Sequence, residues 1–290
     1  MGRQRQPLRL AILEAERLLA EAGIASPRVD AELIAAHVLG VERGRLPMVP
    51  LVDPPVVDAI GQLVGQRAKH VPLQHLTGWA AMGDITVGVG PGVFVPRPET
   101  ELLLEWGLAA VRDVEHPVVV DLCTGSGALA LAIAHARADA VVHAVELDSV
   151  ALAWARQNAE VRAQAGDTAI RLYAGDVTDP ALFADLDGTV HLVLCNPPYV
   201  PEGTAVPPEV ADHDPAMAVF GGEDGLTVIR PVVALAARLL IAGGSVAVEH
   251  DDNHQDAVPV LMSMRRVLTQ VTDHVDLTGR PRFTTATRAA

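Results

Sequence analysis

The stretch Val118-Val-Val-Asp-Leu-Cys-Thr-Gly-Ser-Gly127 decides the fold of this chain. Its first five residues are apolar apart from one aspartate, a pattern that predicts a buried strand. Residues 123–127 form a short glycine-containing loop, and the Ala/Leu-rich run 128–136 predicts a helix directly after it. A strand, a tight loop and a helix in this order form the basic unit of an α/β fold.

The same alternation continues towards the C-terminus. A short helix is also expected after Gly175-Asp176. Repeated units of this length predict a mainly parallel, doubly wound sheet that binds its ligands at the carboxyl ends of the strands. The further strands are predicted at 141–145, at 170–174, in the segment ending at Asn196 and at 245–249, and the further helices at 150–160 and 226–240.

The first 70 residues have a different pattern, typical of a small helical bundle. Apolar positions three and four residues apart run from Leu8 to Ala22, and Gly23 is suited to end that helix. Ser26-Pro27 predicts the start of a second helix, whose buried stripe we expect to be Val29, Leu33 and Ala36. A third helix is expected after Pro54-Pro55. No catalytic pattern occurs in this part, which favours a recognition or docking role.

Between these two parts, residues 71–98 predict a β-hairpin. Ile85 and Val87 alternate with polar residues, Gly90-Pro91-Gly92 predicts a turn, and Val93-Phe94-Val95 resumes an apolar run. The next helix is expected to begin at Pro98 or Thr100. Arg97 lies between two prolines, so we expect it to have a structural partner or to line a site.

Composition limits the classes of protein that fit. The chain has 290 residues, of which 50% are hydrophobic, and only two cysteines, so it can bury a large core and needs no disulfide framework. No uncharged stretch is long enough to cross a bilayer and no secretory signal is evident, so a cytoplasmic location is expected.

Charge is unevenly distributed. Residues 1–70 carry nine basic and eight acidic side chains, a net charge of +1, so the remainder carries −15 and the whole chain −14. Duplex DNA binding depends on neutralising phosphates, so direct DNA binding is not expected. The acidic surface would instead attract a basic protein partner or simply keep the protein soluble.

The loop at Cys123-Thr124-Gly125-Ser126-Gly127 and Glu146, at the end of the second strand, together suggest a nucleoside site. Glycines let a backbone approach a ligand closely, and an acid at that strand end can accept hydrogen bonds from both ribose hydroxyls. The loop lacks the Gly-x-Gly-x-x-Gly run of a pyrophosphate site. S-adenosylmethionine, which has a ribose and a carboxylate but no phosphate, matches this pattern. Asp176 would receive the adenine amino group and Val177 would pack on the ring, although Asp176 is nearly as well explained as a helix N-cap.

The segment Asn196-Pro197-Pro198-Tyr199 ends the fourth strand and cannot continue it, because proline has no N–H to donate. Asn196 and Pro197 each precede a proline and are therefore held in extended geometry. This corner presents the Asn196 side-chain amide and the Pro197 carbonyl beside the Tyr199 ring. Two acceptors next to an aromatic wall suit a planar –NH₂ group, while a simple proline-terminated strand is the alternative.

Five motifs in one order make the chain resemble the HemK/PrmC family of release factor glutamine methyltransferases over essentially its whole length. Sister enzymes that act on a large-subunit ribosomal protein share the Asn-Pro-Pro-Tyr corner but usually not Pro96-Arg-Pro-Glu-Thr-Glu101. The motifs are Pro72-Leu-Gln-His-Leu-Thr-Gly78, Phe94-Val-Pro-Arg-Pro-Glu-Thr-Glu101, Asp121-Leu-Cys-Thr-Gly-Ser-Gly127, Asn196-Pro-Pro-Tyr199 and Phe220-Gly-Gly-Glu-Asp-Gly-Leu226.

The resemblance implies a seven-stranded, doubly wound, Rossmann-like methyltransferase sheet with a late antiparallel strand. It also implies a helical substrate-recognition domain at 1–75, a β-hairpin linker at 76–97 and an S-adenosylmethionine-dependent domain at 98–290. The substrate would be the glutamine of the Gly-Gly-Gln motif in class I peptide-chain release factors, and the product S-adenosylhomocysteine. Two positions depart from the family: Glu146 stands where aspartate is common, and Val177 where a bulkier residue is frequent.

An amide nitrogen is a poor nucleophile, so the enzyme must mainly position it. We expect the Asn196 side-chain oxygen and the Pro197 carbonyl each to accept one N–H of the substrate glutamine, with Tyr199 packing on the amide or closing the pocket. Asn196 would also border the cofactor. Pro198 and Arg97 complete the expected substrate-binding set.

Two other functions fit the same residues. One is methylation of an exocyclic amine of adenine or cytosine in nucleic acid, which the acidic catalytic half disfavours. The other is a non-catalytic, cofactor-binding adaptor of the translation machinery, which the intact Asn196 disfavours. We expect no metal site, because His250 and His254 fit a polar loop after a strand. Cys123 and Cys195 are expected to be small buried residues, with a redox switch as the alternative.

Overall fold

The computed structural model describes residues 4–290, which divide into two compact units. Unit 1 comprises the chain through Trp79 together with Pro207–His213, and unit 2 comprises Ala80–Val206 together with Asp214–Ala290. Within residues 4–290, no helix is long and apolar enough to span a membrane.

The secondary structure in chain order is as follows. The α-helices are α1 (Leu8–Glu21), α2 (Pro27–Leu39), α3 (Pro54–Arg67), α4 (Leu73–Thr77), α5 (Thr100–Ala110), α6 (Ala128–Ala136), α7 (Ser149–Gln164), α8 (Pro208–His213), α9 (Ala216–Val219), α10 (Ile229–Leu239) and α11 (Ala257–Ser263). The strands are β1 (Gln6–Pro7), β2 (Leu51–Val52), β3 (Trp79–Met82), β4 (Ile85–Gly88), β5 (Val118–Leu122), β6 (Val141–Glu146), β7 (Arg171–Ala174), β8 (Val190–Cys195), β9 (Leu240–Glu249), β10 (Leu268–Val275) and β11 (Pro281–Arg288). Short 3₁₀ turns occur at Arg43–Met48, Ala184–Leu186 and Asp252–His254.

Unit 1 is a helical bundle around a core supplied by α1, α2 and α3. The stripe expected on α1 is buried from Leu8 to Leu19, whereas of the three residues expected in the α2 stripe only Ala36 is buried. Val29 and Leu33 are only half-buried, and Ile34 with its alanine neighbours faces the core instead. The reason is an ion pair: α2 is rotated so that Asp30 lies inside, 2.7 Å from the Arg67 guanidinium of α3.

Unit 2 contains the large sheet. Among the described residues it has seven strands, in the order β7–β6–β5–β8–β9–β11–β10. The strands from β7 to β9 in this order are parallel, and β11 is antiparallel to both of its neighbours. This confirms the predicted doubly wound sheet with a late antiparallel strand. Helices cover both faces, which explains why β5 and β8 are nearly continuous apolar runs.

The hairpin differs in detail from the expectation. Its strands are β3 and β4, so its turn falls at Gly83-Asp84, and Val93–Val95 is buried but belongs to no strand. The cause lies in Gly90 and Gly92, where an added Cβ would come within 2.7 Å of Trp154 and of Val150. These glycines let the segment lie directly against α7, so it packs on a helix instead of pairing with a strand.

The short helix expected after Gly175-Asp176 is also absent from that position. Residues 175–183 form turns, and the nearest helical segment is the single 3₁₀ turn Ala184–Leu186. Asp179-Pro180 shows the local reason, because a residue before proline is disfavoured in helical geometry.

Candidate active site

A cavity of about 260 Å³ opens in unit 2 at the carboxyl ends of the parallel strands, where an α/β sheet binds ligands. Of the residues predicted to contact a cofactor, all but Gly127 line it. These residues are Cys123, Thr124, Gly125, Ser126, Glu146, Asp176, Val177 and Asn196.

The glycine loop turns sharply between β5 and α6. Cys123, Gly125 and Gly127 have φ of +60°, +57° and +83°, so the backbone repeatedly enters the left-handed region that favours glycine. A Cβ on Gly125 would meet nothing within 4 Å, so this glycine borders open space. A Cβ on Gly127 would lie 3.3 Å from Leu131 and 3.5 Å from Ala155. Gly127 therefore allows α6 and α7 to pack closely and contributes no lining.

Glu146 holds the loop in place. Its carboxylate accepts hydrogen bonds from the backbone N–H of Gly125 (2.8 Å) and of Asp148 (2.9 Å). Burial raises the pKa of Glu146, and these N–H groups act in the opposite direction because they stabilise the charged form. Each carboxylate oxygen keeps a second lone pair that can accept from a hydroxyl.

Asp121, which the sequence reasoning did not select, is a further part of the cavity wall. It is 1% exposed, and its Oδ2 accepts a hydrogen bond from the Thr124 hydroxyl at 2.5 Å. Its Oδ1 has no hydrogen-bond partner within residues 4–290. Burial raises the pKa of Asp121 to about 7. A buried carboxyl group in a cavity wall suits a cationic ligand group, and a strand-ending acid directly before the glycine loop is the sequence signal for it.

Asn196 shares this cavity with Gly125, and its orientation is fixed by a short chain of hydrogen bonds. The Asn196 Nδ2 donates to the Thr100 hydroxyl oxygen at 3.1 Å. Thr100 in turn donates to Glu249 Oε2 at 2.9 Å. Within residues 4–290, no group donates to Asn196 Oδ1 or to the Pro197 carbonyl, and of these two residues only Asn196 lines the cavity.

The remaining predicted substrate residues lie at different places. Pro198 lines the cavity, whereas Pro197, Tyr199 and Arg97, all within the described range, are not part of its wall. The Tyr199 hydroxyl donates to Glu249 Oε1 at 3.0 Å, and its pKa is raised well above the usual value by burial and by the Glu249 charge. Arg97 forms an ion pair with Asp214 and stacks over the Phe94 ring, 4.9 Å from its centroid.

The loop 220–226 packs against the Asn-Pro-Pro-Tyr backbone, which explains its glycines. A Cβ on Gly221 would lie 2.5 Å from the Pro198 carbonyl oxygen, and one on Gly225 would lie 2.2 Å from that of Tyr199. The Gly221 N–H donates to the Val200 carbonyl at 2.9 Å, and Val200 forms a parallel bridge with Phe220. The loop therefore supports the corner that carries Asn196.

Asp176, Val177 and Leu147 also line the cavity. Asp176 Oδ1 accepts from the Thr178 N–H at 2.8 Å, so one carboxylate oxygen serves the turn. Leu147 is 57% exposed although it is apolar and borders the cavity. An exposed leucine at this place suits the face of a flat aromatic ligand, and the sequence reasoning had not selected it.

The histidines after β9 have structural partners. His250 is fully buried and hydrogen-bonds to Asp273, to Thr284 and to the Asp251 carbonyl. His254 Nε2 hydrogen-bonds to the Asp224 carbonyl at 2.9 Å. No group of three or more His, Cys, Asp or Glu residues within 4–290 could hold a metal ion.

The two cysteines are both free thiols. Cys123 is partly exposed in the cavity wall, and Cys195 is buried beside it. Burial, together with the neighbouring Cys123, raises the pKa of the Cys195 thiol, so it stays protonated at neutral pH. Such a thiol behaves as a small apolar side chain.

Comparisons with known proteins agree with this geometry. Residues 11–78 match the family model described as "PrmC N-terminal domain", and residues 86–213 match the "Methyltransferase small domain". Among solved structures, a methyltransferase from Pyrococcus furiosus superposes with a TM-score of 0.51 at 17% identity, covering 72% of this chain and 92% of that one. At this identity the likeness concerns the fold alone.

Two curated relatives carry the same name. A release factor glutamine methyltransferase of Mycolicibacterium smegmatis is 57% identical over 285 residues, covering 98% of both chains. One of Mycobacterium tuberculosis is 49% identical over 288 residues, covering 97% of this chain and 91% of the relative. On this identity over nearly the full length, together with the two domain matches, the chain belongs to the release factor glutamine methyltransferase family.

Proposed function

We propose that this protein transfers a methyl group from S-adenosylmethionine to the side-chain amide nitrogen of the glutamine in the Gly-Gly-Gln motif of class I peptide-chain release factors. One observation carries the proposal: Asn196 and Gly125 line one cavity, and Asn196 Oδ1 lies there without a donor from residues 4–290. A carboxamide –NH₂ is the complementary group for such an acceptor.

The cofactor fits the remaining wall of the cavity. Glu146 would accept the ribose hydroxyls, and the partnerless Asp121 Oδ1 would face the α-ammonium group. Leu147 and Val177 would cover the adenine ring, with Asp176 at its amino group. The loop 123–127 would lie along the methionine part, where Gly125 leaves open space. The bound cofactor supplies an electrophilic methyl group.

The protein's own contribution is then orientation. One N–H of the substrate glutamine would be donated to Asn196 Oδ1 and the other to the Pro197 carbonyl. With both hydrogens fixed, the nitrogen lone pair is directed into the cavity at a right angle to the amide plane. Holding two reactants in line in this way can supply a large part of the barrier reduction. The proton leaves to water after transfer, so no general base is required.

Substrate recognition and catalysis are proposed to belong to different domains. The helical domain at 1–75 would recognise the release factor, and the domain at 98–290 would hold the cofactor and the glutamine, with 76–97 as a linker. The acidic balance beyond residue 70 supports a protein substrate over DNA, because DNA binding requires phosphate neutralisation. Release factors act on cytoplasmic ribosomes, so the reaction is assigned to the cytoplasm.

The test is methyl transfer from labelled S-adenosylmethionine to a purified class I release factor. Label should appear on the Gly-Gly-Gln glutamine and vanish when that glutamine is replaced by alanine, with peptide mass spectrometry locating the methyl group. Duplex DNA and RNA serve as competing substrates. Label on nucleic acid in place of the release factor would contradict the proposal. It would favour the alternative function, methylation of an exocyclic amine of adenine or cytosine.

A further inference from the structure

Glu249 ends β9 beneath the Asn-Pro-Pro-Tyr corner and is 2% exposed. Its two carboxylate oxygens are divided between two hydroxyl groups: Thr100 donates to Oε2 and Tyr199 donates to Oε1. Arg282 is the nearby charge that favours the carboxylate, and Glu99 is the one that opposes it. A carboxylate is costly to bury, so its presence here calls for a task that an apolar residue could not perform.

The hydrogens available to Thr100 and Asn196 indicate what Glu249 does. The pKa of Glu249 is about 7, so above that pH it is a carboxylate that can only accept, and Thr100 then uses its one hydroxyl hydrogen on it. The Thr100 oxygen can then only accept, so the Asn196 group facing it must be the Nδ2 donor. The amide of an asparagine can otherwise turn over, exchanging its oxygen and nitrogen at nearly the same positions. The buried carboxylate therefore determines which end of the Asn196 amide faces the cavity.

The position of Thr100 supports this assignment. It is the first residue of α5, where threonine commonly caps a helix, yet Glu99 occupies the N-cap place and no side chain caps this helix. The hydroxyl points instead to a residue 149 positions away in sequence. It is 3% exposed, so its hydroxyl is largely shielded from bulk solvent.

We propose that Thr100 and Glu249 are positioning residues for the methyl transfer, holding the Asn196 amide with its oxygen towards the substrate glutamine. This inference rests on the proposed function. With the amide reversed, Asn196 would present an –NH₂ group to the substrate –NH₂, and neither could accept from the other. Tyr199 completes the set by satisfying the second oxygen of Glu249, which keeps that carboxylate in one orientation.

The test compares Thr100→Val, which replaces the hydroxyl by a methyl group of similar size, with Thr100→Ser, which keeps the hydroxyl. The kcat for release factor methylation should fall at least about tenfold in T100V and stay within about threefold of wild type in T100S. The dissociation constant for S-adenosylmethionine should be unchanged in both. Thr285→Val is the matched control, since Thr285 is a buried threonine of β11 whose hydroxyl bonds to His274 instead.

A double-mutant cycle separates positioning from mere structural support. If Thr100 acts through Asn196, T100V should have no further effect on kcat in an N196A background. Should T100V fail to bind the cofactor, Thr100→Ala against Thr100→Ser repeats the comparison without the added methyl group.

Two outcomes would overturn the inference: near-normal kcat in T100V, or an equal loss from T100V in the wild-type and N196A backgrounds. Failure of the proposed function is distinguishable from either, because the wild-type protein itself would then leave the release factor unmethylated.

Discussion

Two buried carboxyl groups, Asp121 on β5 and Glu249 on β9, belong to the two strands that flank β8 and have the most strongly raised pKa values among the carboxyls of the site, both about 7. Burial is the main cause in each case. Asp121 lines the cavity, while Glu249 accepts hydrogen bonds from hydroxyl groups of the protein. The site thus retains two buried ionisable groups with strongly shifted pKa values, which is typical of functional sites.

The raised pKa of Glu249 predicts a specific pH dependence of stability. Its carboxyl has an ordinary pKa of 4.5 when unfolded and about 7 in the fold. Between these values the folded protein holds a proton that the unfolded chain has lost, so stability falls as pH rises from about 4.5 to 7 and then levels off. Glu249→Gln removes this contribution. The free energy of unfolding of E249Q relative to wild type should therefore rise by on the order of 3 kcal/mol over that window.

Urea unfolding followed by circular dichroism at pH 5 and pH 7.5 measures this difference. Glu160→Gln, which removes an exposed carboxylate on α7, is the matched control. If the difference in the free energy of unfolding between E249Q and wild type were the same at both pH values, Glu249 would not titrate in this window.

Glu146 is predicted to contribute to cofactor binding through the glycine loop. Glu146→Gln keeps the shape but replaces one acceptor oxygen by an –NH₂ group, which would face either the Gly125 N–H or the Asp148 N–H. Two donors then oppose each other, so the loop loosens and one ribose contact is lost. The dissociation constant for S-adenosylmethionine should rise about tenfold to a hundredfold.

Isothermal titration calorimetry would measure that constant, and a spectrum matching wild type would show that the fold is intact. Unchanged affinity of E146Q for S-adenosylmethionine would contradict the proposed contact between Glu146 and the ribose. Thr100→Ser, which leaves this part of the cavity intact, should bind the cofactor as wild type does.

Among the elements, the loop 220–226 determines the shape of the Asn196 corner. Gly221→Ala would place a Cβ 2.5 Å from the Pro198 carbonyl oxygen and 2.6 Å from that of Gly225, both backbone atoms that cannot move aside freely. We expect a loss of about 1–3 kcal/mol in the free energy of unfolding, and a lower kcat because the corner is displaced.

The control for this substitution is Gly61→Ala in α3, where a Cβ would meet nothing within 4 Å. It should stabilise the protein by about 0.5–1 kcal/mol, because alanine is the better helix former. Thermal unfolding of both variants, with kcat measured at one temperature, checks the pair. A Gly221→Ala protein as stable and as active as wild type would show that the loop does not support the corner.

Some elements could be predicted from the sequence and others could not. The strand β5, the glycine loop and α6 were predictable because propensity, loop residues and burial act over neighbouring positions. The hairpin turn was predicted at the wrong place because Gly90 and Gly92 are required by close packing against Trp154 and Val150. These contacts are distant in sequence, so no local pattern reveals them. The bond from Thr100 to Glu249 likewise spans 149 residues, so the local sequence offered only a helix start at Thr100.

For the molecule as a whole, the two units have separate cores and separate proposed tasks. The core of unit 1 is formed by α1, α2 and α3, whereas the cavity is lined entirely by residues of unit 2. A defect in the core of unit 1 should therefore alter recognition of the release factor and leave cofactor binding unchanged. The buried Arg67 offers such a defect, because its guanidinium pairs with Asp30 at 2.7 Å and with Glu209 at 2.8 Å.

Arg67→Met should leave Asp30 buried without its partner, which costs about 3–5 kcal/mol and loosens unit 1. The KM for the release factor should rise, while the dissociation constant for S-adenosylmethionine stays at the wild-type value. Arg45→Met is the control, since that side chain is 69% exposed and lies 3.9 Å from Glu42. Steady-state kinetics with intact release factor, beside calorimetry with the cofactor, separate the two effects. A parallel loss of cofactor affinity in R67M would mean that the two tasks are not divided between the units.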